Sequence, residues 1–269
     1  MASGKKGNRK PNAVKAARGS AVGTKNIPWG TIIAVVAIVL LAGGVFGYYY
    51  VASSDSREQK DREQAAAEQF TPSKDNPDPS TNIRGVQTEE YQAGAHVLPN
   101  ERVAYDQAPP FGGPHDGFWA SCTGTVYDEA VRNENMVHAL EHGAVWIAYD
   151  PEQVKGEDLE ALRIRVENKP FMMLSPYPNL DKPVSLQSWG HQLKVDDVDD
   201  ERIDQFIAAL KRNANTYPEV GASCDALGPG QFDPENPPKF DPSEPGKDAK
   251  PMDYQGSQNA VDESMGGGQ

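Results

Sequence analysis

Residues 29–51 read WGTIIAVVAIVLLAGGVFGYYYV, 23 residues without one charge. A helix rises about 1.5 Å per residue, so this stretch is long enough to span a hydrocarbon core of roughly 30 Å. Trp29 at one end and Tyr48, Tyr49 and Tyr50 at the other stand where interfacial aromatic belts form. A cleaved signal peptide carries a shorter apolar run of about 7–15 residues. Val51–Ala52–Ser53 offers a cleavage-like triplet, but the length favours an uncleaved single-pass anchor. Ala42, Gly43, Gly44 and Gly47 leave a small-residue stretch on which a partner membrane helix could pack.

Charge orients this anchor. Residues 1–25 carry seven basic side chains and no acid, while all 39 acids lie after residue 52 and the net charge is −13. The basic side stays in the cytoplasm. The remaining two hundred or so residues are therefore expected outside the plasma membrane, with the lipid bilayer as partner of residues 29–51. Such a split between the two ends fits membrane topology better than nucleic-acid binding, and no nucleic-acid partner is expected.

The low apolar content, 38%, suggests one modest folded body between polar flanks. Residues 1–26 read as a basic cytoplasmic tail, 27–51 as the membrane helix and 52–82 as a stalk or linker. Residues 83–224 read as the folded extracytoplasmic domain. Residues 225–269, with seven prolines and nine acids, read as a disordered acidic tail. The only cysteines, Cys122 and Cys224, both fall in the exported part, where an even count suggests a disulfide. Cys122 as a metal thiolate is the alternative. No CxxC occurs to support thiol–disulfide exchange.

Elements alternate irregularly along the domain. Residues 124–128 suggest a strand or turn. Asp128 could cap a helix over 129–142, and Gly143 suits its C′ position. Strands follow at 144–150, 171–176, 183–189 and 191–196, the last two joined at Gly190. Helices follow at 156–169 and 199–213. The second is the clearest, with Ile203, Phe206, Ile207 and Leu210 at i, i+3, i+4, i+7. The pattern predicts an α+β fold: one small domain with a mixed sheet and about three helices, preceded by one transmembrane helix.

The chemistry concentrates in "MVHALEHGAVWIAYD" (136–150). All five histidines, His96, His115, His138, His142 and His191, lie in the expected exported domain. His138 and His142 project from one helical face, with Glu134 on that face and Glu141 beside it. Imidazoles at i, i+4 can both reach one ion at about 2.0–2.1 Å. His115 follows a Pro/Gly turn that could fold over the helix end. The candidate ligands are His115, His138, His142, Glu141 and His96, and the candidate ions are copper or zinc. Met136, Met172 and Met173 would favour copper(I) if they faced the site, but by default they are core side chains.

Two other readings share these residues. "HALEH" fits H-x-x-E-H, which in inverted zinc proteases makes the glutamate a general base. Against a hydrolase, Gly143 ends the helix at once. The second reading is a non-catalytic accessory subunit of a membrane complex, suggested by anchor, stalk and acidic tail. The plain structural reading is a helix end capped by His142, with Glu141 paired to Arg132.

The blocks PPFGGPH (109–115), VHALEHGAVWIAYDP (137–151), SPYPNLDKPVSLQSWG (175–190) and DQFIAAL (204–210) resemble the bacterial family of unknown function numbered 3105. The resemblance implies a membrane-anchored, extracytoplasmic protein of a kind common in actinobacteria. It singles out His115, His138, Glu141, His142, Gly143, residues 175–178 and Trp189–Gly190. The chain departs from the family pattern at Cys122–Thr123, where CG is expected, and at His191, where arginine is expected. The resemblance brings no established activity.

Overall fold

The computed structural model of the chain describes residues 29–256. The basic tail, 1–26, and the last thirteen residues of the expected acidic tail lie outside the described residues. The chain divides into a unit ending at Val51 and a unit beginning at Ala52. Helix α1 is Trp29–Phe70. Its Trp29–Tyr49 part is long and apolar enough to cross a membrane, with a mean hydropathy of 2.4 and no part of it buried within the protein.

The second unit is α+β. Its sheet has six strands in the order β1-β8-β7-β5-β6-β4. These are β1 (Gln87–Thr88), β4 (Thr123–Val126), β5 (Val145–Tyr149), β6 (Met172–Pro176), β7 (Val184–Ser188) and β8 (His191–Val195). β6 pairs in parallel with β4 and β5, whereas β5–β7, β7–β8 and β8–β1 are antiparallel, so the sheet is mixed. Helix α2 (Asn133–Glu141) connects β4 to β5, and α3 (Glu157–Val166) connects β5 to β6. Parallel strands need such crossovers, and both faces are then covered. A separate parallel pair joins β2 (His96–Val97) to β3 (His115–Asp116).

The sequence of β5 reads as an unbroken apolar run because both of its faces are buried. Val145, Ile147 and Tyr149 pack with Leu162, Val166, Ile203, Phe206 and Leu210, the inward stripes of α3 and of α4 (Arg202–Leu210). Trp146 and Ala148 point the other way and pack with Met136, Val137 and Leu140 of α2. Period-two alternation thus divides one strand between two cores. Met136, Met172 and Met173 are buried among these apolar clusters.

Three expectations are corrected. The α2 helix begins at Asn133 and not at Glu129, with no side-chain cap. Residues 130–132 are instead drawn into extended pairing, through Val131 with Lys239, Phe240 N with Ala130 O, and Arg132 N with Pro238 O. The folded body does not end at Cys224: Phe232 is fully buried in the α2-side core, and the Lys250 amide donates to Arg102 O. The expected linker, 52–82, also packs on the body. Gln59 is buried and donates to Asp204, which holds the buried guanidinium of Arg165. An average composition over a segment hides the single aromatic or amide that ties it down.

Candidate metal centre

The site is assembled where α2 ends. His142 is the C-cap, Gly143 follows at φ +89°, and the amides of Gly143 and Ala144 close on Leu140 O and Ala139 O. This is the Schellman arrangement, in which a residue without Cβ is favoured. A Cβ at Gly143 would also stand 2.7 Å from the Tyr217 ring. The chain must turn sharply here, which leaves His138, Glu141 and His142 together on the last turn of the helix.

The β2–β3 pair adds the next two candidate ligands. His96 and His115 are directly opposed in its register. The rings of His96, His115 and His138 are within 4.8–5.1 Å of one another, centroid to centroid. One nitrogen or oxygen each from His96, His115, His138 and Glu141 lie within 4.8 Å of one another, and so do those of His138, His142 and Glu219. The five candidate ligands expected from sequence thus fall into two groups that share His138, and Glu219 joins the second. Glu219 lies on the loop after α4 with nothing periodic around it; only its closeness to Cys224 hints at a fixed position.

Backbone carbonyls set the histidine tautomers. Nδ1 of His115 donates to Gly113 O (2.9 Å), that of His138 to Asp116 O (2.6 Å) and that of His142 to Ser223 O (2.6 Å). A carbonyl only accepts, so each Nδ1 carries the hydrogen and each Nε2 turns inward. Metal-bound histidines are held in this way by their outer partners. The Nε2 atoms of His138 and His142 are buried without a hydrogen bond among the described residues. Nε2 of His115 lies 2.7 Å from Oε2 of Glu141, and Nε2 of His142 lies 3.1 Å from Oε2 of Glu219. Neither contact has the direction of a hydrogen bond.

Electrostatics matches this geometry. Burial pushes the His138 imidazole well below its usual pKa, helped by the neighbouring His115, His142 and His96, so it stays neutral. Burial pushes His115 down most strongly, but Glu141, Gly113 O and Glu219 together outweigh it and the net shift is upward. For Glu141, burial raises the carboxyl, but His115 and the Gly94 amide outweigh it and hold it below the ordinary range. His115 and Glu141 thus each favour the other's charged form.

Other sequence expectations fall outside the cluster. His191 belongs to neither group: Nδ1 donates to Trp189 O, and Nε2 is 3.1 Å from Asp78. Glu134 accepts from the Val103 amide and pairs with Arg132. The expected Arg132–Glu141 pair is replaced, since Arg132 is drawn to Asp116, Glu134 and Glu101 O. Through Asp116, this arginine steadies the carbonyl that orients His138. Cys122 is no thiolate, because it forms a disulfide with Cys224. That bond sits beside Ser223, so it pins the loop carrying the His142 partner and Glu219.

Fold and site together define an α+β domain built around a buried histidine–carboxylate cluster. The model of the family described as "Protein of unknown function (DUF3105)" matches residues 96–226. No curated protein and no solved structure matches the chain.

Proposed function

We propose that the protein is a single-pass, membrane-anchored domain that holds one transition-metal ion outside the cytoplasm, with its N-terminus inside. One observation carries the metal reading: four candidate ligand atoms, from His96, His115, His138 and Glu141, lie within 4.8 Å of one another in the protein interior. Ligand atoms around a four-coordinate ion sit about 3.3 Å apart at bond lengths of about 2.0–2.2 Å. Modest rotation of the rings would close the shell. The donors are nitrogen and oxygen, since both cysteines are in the disulfide. That set suits zinc or copper(II) better than copper(I).

The burial bears on catalysis. The side chains of His115, Glu141 and His142 are 0% exposed. A hydrolytic site keeps an open position for water and substrate, whereas a closed shell holds its ion. The reading is therefore a binding domain rather than a hydrolase. The basic N-terminal segment supports the topology.

The test is metal content and affinity of the full chain purified in detergent, before and after chelation. About one zinc or copper ion per chain is expected, and His138→Ala should weaken binding by roughly 100-fold or more. Negligible binding by both forms would remove the metal reading.

A further inference from the structure

The cluster has two ends. His96, His115, His138 and Glu141 form a group in which every residue is buried, whereas the second group, His138, His142 and Glu219, reaches partly exposed territory. The Glu219 side chain is 22% exposed. His138 belongs to both groups and lies between them, its ring 4.8 Å from that of His115 and 4.6 Å from that of His142. The Trp119 ring flanks His138 and His142 at 5.5 and 4.8 Å. His138 commits Nδ1 to Asp116 O, so a single lone pair, on Nε2, remains for both groups.

We propose that the protein has two mutually exclusive positions for one divalent cation, and that the ion reaches the inner position by passing from the outer one through a change of partners on His138. The outer position is made by His142, Glu219 and His138; the inner by His138, His115, His96 and Glu141. This rests on the metal-binding reading above. His142 supports it independently. Its Nδ1 is fixed by Ser223 O, which aims a fully buried Nε2 into the outer position with no hydrogen bond among the described residues. A helix end capped only for stability gains nothing from this second buried nitrogen. Glu219 supplies the carboxylate of these two groups that is partly exposed. Its amide is held by Glu141 O, which keeps the outer carboxylate in register with the helix end.

The experiment uses the full chain in detergent with cobalt(II), whose visible absorption reports its ligands, and with zinc. Wild type is expected to bind one ion per chain. His115→Ala with Glu141→Gln breaks the inner position and should leave a weaker cobalt site, by roughly 10–100-fold per lost ligand, with an altered spectrum. Adding Glu219→Gln to that variant should abolish the remaining site. Alone, Glu219→Gln should slow zinc uptake relative to wild type, read by stopped-flow mixing. Two ions bound together per chain would overturn the shared lone pair. Unchanged uptake by Glu219→Gln, or no residual cobalt site in the inner variant while its circular dichroism stays native, would overturn the outer position alone. No binding by wild type would overturn the metal-binding reading as well.

Discussion

At the residue scale, the account turns on which nitrogen of each histidine is free. Carbonyls at Gly113, Asp116 and Ser223 take the three Nδ1 hydrogens, and this orientation would be wasteful without a cation. Glu134, one turn before His138, provides a contrast. Its oxygens are engaged by the Val103 amide and Arg132. Glu134→Gln is expected to lower thermal stability while leaving metal affinity unchanged, whereas Glu141→Gln should lower metal affinity by roughly 10–100-fold. Calorimetric titration alongside thermal melts separates the two. Metal binding should also release a proton. Because Glu141 helps hold the His115 pKa above that of an ordinary histidine, below that pKa an incoming ion must displace a proton from His115. Apparent affinity should therefore rise with pH up to that raised pKa and level off above it. Titration in two buffers of different ionisation enthalpy reads the released proton directly.

At the element scale, the site depends on the end of α2 and on the loop before Cys224. Gly143 lies at φ +89° against Tyr217, so Gly143→Ala meets both backbone strain and a clash. A loss of about 1–3 kcal/mol is expected from the strain alone, read by chemical denaturation. The disulfide closes a separation of 102 residues. Replacing both cysteines by serine should cost about 2–5 kcal/mol in the same measurement. It should also weaken metal binding by freeing Ser223 and Glu219. The strands and the last two helices were legible because periodicity is local: β5 and β6 read as apolar runs, and α4 as an i, i+3, i+4, i+7 stripe. The start of α2 was not legible. It is fixed by residues 238–240, more than a hundred positions away, which take residues 130–132 into extended pairing.

At the scale of the whole molecule, long-range ties decide what composition cannot. That His138, Glu141 and His142 are neighbours was legible because their spacing is helical and local. Glu219 escaped because its neighbourhood is built by α4 and the disulfide. The proline-rich segment after Cys224 looked unstructured, yet it delivers Phe232 to the core. Phe232→Ala is expected to destabilise the body by about 3–5 kcal/mol, and truncation after residue 226 should do at least as much, by urea denaturation. The anchor makes a separate prediction. In sealed cells, a protease added outside should digest or release the part after residue 52 and spare an epitope placed before residue 25; the reverse pattern would invert the topology.

The most direct test of the central claim is X-ray absorption at the zinc edge of the zinc-loaded full chain. The account predicts nitrogen and oxygen ligands at about 2.0–2.1 Å, with the outer-shell scattering of three imidazoles and no sulfur near 2.3 Å. A sulfur shell, or a spectrum of hydrated zinc without imidazole scattering, would contradict it.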